Sequence, residues 1–220
     1  DPKVGLTFED IRIRDESSPR FRSTEVIRIE RMTVFADIHA EKLLDQKNPL
    51  TTRRVVLDGV QANAWLTDDE QISLMSLLPL PNFGPVAPRM DLRRVKVHLH
   101  GNSLESRPVS AELNEVVVIN KPNAEGGIDK SIAIQGATDF ANGLDVRLNT
   151  KAGSTVVRGT IQGAYLSHNL IDRLPRAWAK PLLHAKDLQC ACDVAFAIDQ
   201  PVDAPVNYRF RGTVHDGRFA

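Results

Sequence analysis

Arg53-Arg54-Val55-Val56-Leu57-Asp58-Gly59-Val60-Gln61-Ala62-Asn63-Ala64-Trp65-Leu66 opens the stretch whose reading decides the fold. Thr67-Asp68-Asp69-Glu70-Gln71-Ile72-Ser73-Leu74-Met75-Ser76-Leu77-Leu78-Pro79 follows it, and Met90-Asp91-Leu92-Arg93-Arg94-Val95-Lys96-Val97-His98-Leu99-His100 closes it. The first piece alternates. Val60, Ala62, Ala64 and Leu66 fall on one face of an extended chain, with Gln61, Asn63 and Trp65 on the other. Thr67 and Glu70 have capping-box spacing, and Ile72, Leu74, Met75, Leu77 and Leu78 give the short helix they open an apolar side. Pro79 and Pro81 end that helix. Val95, Val97 and Leu99 then resume the period of two. The unit reads as strand, short helix, proline-rich loop, strand.

The same period recurs on both sides of this unit. Val4, Leu6 and Phe8 alternate, and the phase then flips to Ile11 and Ile13, which marks a bulge or a break. Glu25–Glu30, with Ile27 and Ile29 on one face, and Thr33–His39 are further extended stretches. Ala40–Asp45 reads as a helical turn. After the turn at Gly101-Asn102, the pattern puts Val109, Ala111, Leu113, Val117 and Ile119 on one face. Ile132 and Ile134 define another strand. Leu144, Val146 and Leu148 define the next, after a tight turn expected at Ala141-Asn142-Gly143. Val157, Ile161 and Tyr165 follow Gly153-Ser154. Leu170, Leu174, Ala177 and Trp178 break the pattern with helical spacing, with Asn169 as the expected N-cap. Leu188, Cys190, Cys192, Val194, Phe196 and Ile198 share one parity, and Val206, Tyr208, Phe210 and Val214 share the next. About ten strands and two short helices emerge. One apolar and one wet face per strand is the mark of antiparallel pairing. The expected architecture is mainly β: a single domain over residues 1–220, built as an antiparallel, curved, open sheet.

Composition bounds the function. The chain has 220 residues, 42% hydrophobic and 25% charged, with a formal net charge of +0. Such a balance gives no global field to draw in nucleic acid, so no nucleic-acid partner is expected. Arg12, Arg14, Arg20 and Arg22 read as a solvated strand face and loop. Aromatic residues make up only 5%, too few for a base-stacking or sugar-binding platform. The longest apolar run in the strand regions is Val116–Ile119, far short of the about 20 residues a membrane-spanning helix needs. The chain begins at Asp1 without Met and reads as a processed or excised piece.

No catalytic motif stands out. His98 and His100 have the spacing of two metal ligands on one strand face, but Lys96 shares that face and a third ligand is missing, so no metal is expected. Asp68, Asp69 and Glu70 open a helix, where carboxylates favour the N-terminal dipole. Cys190 and Cys192 lie in phase with Val194 and Phe196 and read as small core residues. No Gly-rich phosphate loop or nucleophile elbow occurs, so no cofactor and no enzymatic activity are expected.

The run Val55–Leu66, continued by Ile72–Leu78 and the strand Met90–Leu99, resembles the AsmA-like family. Its members repeat a strand of the form apolar-x-apolar-x-Gly-apolar-x-apolar, then a polar excursion, then a small leucine-ended helix. The resemblance is clearest over residues 25–100. It implies a periplasmic protein of a didermic bacterium, held in the inner membrane by an anchor outside this segment. It also implies similarity to bridge-like lipid transfer proteins, in which an open β-groove carries phospholipid acyl chains for outer-membrane biogenesis. Further strands of the same full-length chain would extend such a groove. The candidate lining is Val60, Ala62, Leu66, Val95, Val97, Leu99, Leu188, Val194, Phe196, Val206, Tyr208 and Phe210. The competing expectation is a closed β-sandwich serving as an interaction or scaffold domain, whose apolar face would be its core.

Overall fold

Alternating sequence becomes a ladder of ten strands. A computed structural model describes residues 3–15, 24–38, 50–65, 73, 88–101, 107–123, 127–175, 180, 189–202 and 204–218. Its strands are β1 (Lys3–Asp15), β2 (Thr24–Ile38), β3 (Leu50–Ala64), β4 (Arg89–Leu99) and β5 (Val109–Pro122). They continue with β6 (Ile128–Thr138), β7 (Ala141–Lys151), β8 (Ser154–Leu166), β9 (Gln189–Gln200) and β10 (Asn207–Arg218). One short helix, α1 (His168–Arg173), lies between β8 and β9. All ten strands form one sheet in sequence order, with β1 and β10 at its two ends. The sheet is curved and does not close. The sandwich alternative is therefore corrected: the strands make one layer, not two facing ones.

Pairing is antiparallel at every step except β3–β4, which is parallel. The sheet is thus mostly antiparallel, as expected, with one parallel step. Parallel neighbours need a crossover of a dozen or more residues, and the 65–88 connection is long enough to supply one. The helix expected over Thr67–Leu78 lies outside the described residues except for Ser73. There the Ser73 amide donates to the Trp65 carbonyl at 2.8 Å, and Ser73 Oγ accepts from the Trp65 amide at 3.1 Å. The turn expected at Ala40–Asp45 also lies outside the described residues.

The phase flip of β1 belongs to a feature that crosses half the sheet. Phe8 pairs with Met32 and Ile11 with Ile29, so both strands change parity between those pairs, at Asp10 and Glu30. In β3 the change falls at Gly59, in β4 at Arg94 and in β5 at Asn114. Asp10, Gly59 and Arg94 have φ of 51°, 66° and 50°. Each extra residue bends its strand and moves its following apolar residues back to the same face. Gly59 suits the left-handed conformation, and a Cβ there would lie 2.3 Å from the Glu30 carboxylate. The five positions line up as a crease across β1–β5.

The crease corrects the reading of β5. Val116 is buried and Val118 packs against the same core, while Val117 and Ile119 take the other face, because Asn114 shifts the phase. Two local expectations change as well. The turn before β7 is at Asp139 and Phe140, and Ala141–Gly143 already belong to the strand. The N-cap of α1 is Ser167 rather than Asn169, and the helix stops at Arg173, with Leu174 extended at the C-cap before Pro175. Leu170 and Ile171 are its buried residues. Ala177 and Trp178 lie outside the described residues.

Candidate functional site

The registers assemble the alternating apolar residues into transverse rows on one face. Leu6, Val34, Val55, Met90, Val118, Ile132, Leu148, Val157, Ile198 and Tyr208 are paired neighbour to neighbour across all ten strands. A second row runs Phe8, Met32, Leu57, Leu92, Val116, Ile134, Val146, Gly159, Phe196 and Phe210. Beyond the crease, a third passes through Ile11, Ile29, Val60, Val95, Leu113, Gly136, Leu144, Ile161, Val194 and Gly212. A fourth runs Ile13, Ile27, Ala62, Val97, Ala111, Thr138 and Ala141, and resumes at Ala164, Cys192 and Val214. No charged residue interrupts any of them.

The centre of this face is tightly packed. Val55 is 0% exposed, and Ile29, Leu57, Val60, Met90, Val95, Leu113 and Val116 join it in one cluster. Burying a side chain of this size contributes about 1.5–3 kcal/mol. The ends of the rows are open: Leu6 is 52%, Phe8 46%, Tyr208 62% and Phe210 68% exposed. Each end strand lacks a neighbour on one side, and that accounts for the gradient. Gly159 leaves room for the Phe196 ring, which a Cβ there would meet at 2.4 Å. The Phe196 and Phe210 rings then sit 6.5 Å apart, tilted by 31°.

The candidate residues from the sequence fall as follows. Val60, Ala62, Val95, Val97, Val194, Phe196, Tyr208 and Phe210 lie in the rows. Leu99 pairs with Val109 in phase with Val97. Val206 precedes β10 and is half-buried. Leu66 and Leu188 lie outside the described residues. Sequence reasoning left out the first two rows over β1–β4 and the share of β5–β8, Val116, Ile134 and Val146 among them. For β3 and β5 the missing signal was the bulge: once the phase resets at Gly59 and Asn114, Val55, Leu57 and Val116 join the pattern.

The opposite face is wet and carries a ladder of paired charges. Glu9, Arg31, Asp58, Arg93 and Glu115 are successive cross-strand partners, followed by Gln135 and Asp145. Opposite signs directly across a sheet favour this register over a slipped one. At the crease, Arg94 donates to Asp58 and to Glu30, each at 2.9 Å. This holds the Asp58 carboxyl below the usual carboxylate range and raises the guanidinium's pKa. Asp91 is 1% exposed and sits between Arg54 and Arg89, the latter at 2.7 Å. Burial pushes its pKa up, but hydrogen bonds from Arg89 and Arg54 more than offset this, so the group stays below the ordinary value.

Several other polar groups have structural partners, though the buried His100 Nδ1 has none among the described residues. A shallow depression of about 260 Å³ lies at the crease, lined by Glu30, Gln61, Arg94, Lys96, Glu112 and Asn114 among others. Its cations are paired, Lys96 with Glu112 at 2.9 Å, which lowers the Glu112 pKa. His98 Nδ1 is 2.9 Å from Ser110 Oγ, and His100 Nε2 is 3.3 Å from Asn63 Oδ1. His100 is buried, and burial, with His98 adding to it, lowers its pKa. Cys190 and Cys192 are buried free thiols, and burial pushes the Cys192 thiol up. Asp193 accepts from the Gly163 amide and lies 2.7 Å from His215 Nε2; both hold its carboxyl low. Among the described residues, no three His, Cys, Asp or Glu side chains gather to hold a metal. None of the described helices is long and apolar enough to cross a membrane.

The arrangement offers apolar rows, buried at their centre and exposed at their ends, with a charged back. Compared with models of protein families and with curated proteins, the chain matches none.

Proposed function

We propose that this chain is a segment of an inner-membrane-anchored periplasmic protein that binds or conducts phospholipids along its apolar face, serving outer-membrane biogenesis. The observation that carries this reading is the set of apolar rows crossing all ten strands without a charge, on a sheet that does not close. The resemblance of residues 25–100 to the AsmA-like family supports the same reading. Strands spaced about 4.8 Å apart make each row roughly 43 Å long. One leaflet contributes about half of a bilayer's roughly 30 Å hydrocarbon core, so a row exceeds the reach of a single acyl chain. Acyl chains would lie along the rows, transverse to the strands, with headgroups at the wet rim. Each buried CH₂ contributes about 0.8 kcal/mol, so a partly covered tail is held while remaining free to slide. Such transfer needs no catalytic residue and no cofactor.

Native mass spectrometry and solvent extraction of the purified chain test the proposal. Co-purifying phospholipid is expected. Ile134→Asp, which places a carboxylate in the second row, should release it, while Thr160→Asp on the wet face should not. Circular dichroism checks that both variants keep their strands. A folded wild-type chain that carries no phospholipid and takes none up from vesicles would overturn the reading.

A further inference from the structure

Among the described residues β1 and β10 each have one unpaired edge, and the two edges fit each other. Through the pairings, β10 runs in the same direction as β1, because the single parallel step at β3–β4 offsets one reversal. A second copy added in the same strand sense would therefore set its β1 parallel to β10. In that placement the apolar rows continue: Tyr208 meets Leu6 and Phe210 meets Phe8, four side chains that are each 46–68% exposed in the single chain. On the wet face Arg211 meets Glu9. Arg211 is exposed and ion-pairs with no described residue, whereas Glu9 already heads the charge ladder through Arg31 at 3.6 Å. The ladder would then extend across the joint with its alternation intact.

The symmetric alternatives fit less well. Antiparallel pairing of β10 with its own copy puts Arg211 opposite Arg211, or Arg209 opposite Arg211, in two of its central registers. Pairing β1 with its own copy through Phe8 and Ile11 puts Glu9 opposite Asp10. Like charges directly opposed across a sheet destabilise it.

We infer that β10 of one copy takes β1 of a second copy as its next strand, in a parallel, head-to-tail register that continues the apolar rows and pairs Arg211 with Glu9. The inference rests on the same apolar face as the proposed function, but not on what that face binds. A head-to-tail joint of this kind is heterologous, so it builds a ring where the rotation between copies closes and an open filament where it does not.

Sedimentation velocity and light scattering over a concentration series test it with charge reversals at two exposed positions. The wild-type chain is expected to associate progressively. Glu9→Arg alone and Arg211→Glu alone should each weaken association about tenfold or more, since each brings like charges together at the joint. An equimolar mixture of the two variants should associate again, because every joint between unlike copies restores an opposite pair. The double variant Glu9→Arg/Arg211→Glu should recover association over either single variant, short of wild type because the reversed charge at position 9 still opposes Arg31 in its own chain. A wild-type chain that stays monomeric at every concentration overturns the inference. So does an effect of Arg211→Glu with none from Glu9→Arg, which indicates β10 pairing with itself. Loss of association that mixing fails to rescue does the same. Lipid content, read in the same samples, reports separately on the proposed function.

Discussion

Gly59→Ala puts the crease to a direct test. Gly59 has φ of +66°, and its missing Cβ leaves the space that the Glu30 side chain occupies. An L-residue in the left-handed region costs about 1–2 kcal/mol. The added methyl also forces the Glu30 carboxylate aside, away from its 2.9 Å contact with Arg94. Both partners of that contact are about half or more exposed, so its loss adds little. The backbone term therefore dominates, and a chain of this size should lose about 2–4 °C in melting temperature per kcal/mol. Urea denaturation should show a lower midpoint at unchanged slope. Glu30→Ala removes the side chain that the methyl would strike, so Gly59→Ala in that background should retain only the backbone cost. Gly59→Ala within about 0.5 kcal/mol of wild type, in either background, would refute the left-handed bulge and with it the crease.

Other substitutions probe separate parts of the fold. Val116→Ala removes two buried methyl groups and should cost about 1.6 kcal/mol or more, while Val117→Ala should cost clearly less; the reverse order in urea denaturation would deny the phase shift at Asn114. Ala152 has φ of 47° in the β7–β8 turn, so Ala152→Asn should stabilise the chain by up to about 1 kcal/mol, seen as a higher melting temperature. Asp91→Asn should cost about 1–3 kcal/mol at neutral pH, since one buried carboxylate takes both Arg54 and Arg89. Because the folded-state pKa of Asp91 is lowered, its contribution is present above the ordinary carboxylate value and is lost as pH falls through the folded one. The variant should accordingly lose less stability than wild type between neutral and acidic pH.

Alternation was legible because a strand writes its two faces into neighbouring residues. β9 shows this in full: Cys190, Cys192, Val194, Phe196 and Ile198 keep one parity, and every one of them points to the apolar face. β5 shows where the reading stopped. Its bulge falls at Asn114, which is polar and has no positive φ to demand a glycine, so nothing in the local sequence announces it. β1 did announce its bulge through the jump from Phe8 to Ile11, and β3 offered Gly59. Arg94 gave no sign, since arginine seldom takes a left-handed φ and is held there by Asp58 and Glu30, distant in sequence. The parallel step at β3–β4 was legible in principle. A helix between two strands is a crossover signal, and the long 65–88 connection excludes a tight hairpin.

Why the sheet stays a single open layer follows from how its two faces are made. An apolar sheet face must be covered by a second layer, by closure of the sheet on itself, or by a ligand. Among the described residues no second sheet covers it, and β1 and β10 do not pair. α1 is too short to span ten strands, and only Leu170 and Ile171 of it are buried. Bending at the crease crowds the middle of the face, where Val55, Val60 and Val95 are buried, yet leaves Tyr208 and Phe210 bare at one end and Leu6 and Phe8 at the other. The wet face cannot take over this role, because its ladder from Glu9 to Asp145 would have to be desolvated, and buried charges tolerate that only when fully paired. Two proposed partners suit such a surface: a hydrocarbon chain along the rows and another strand at their ends. They do not compete. A strand added at β10 lengthens the rows by about 4.8 Å without covering them, so a second copy joined there would extend the proposed lipid surface.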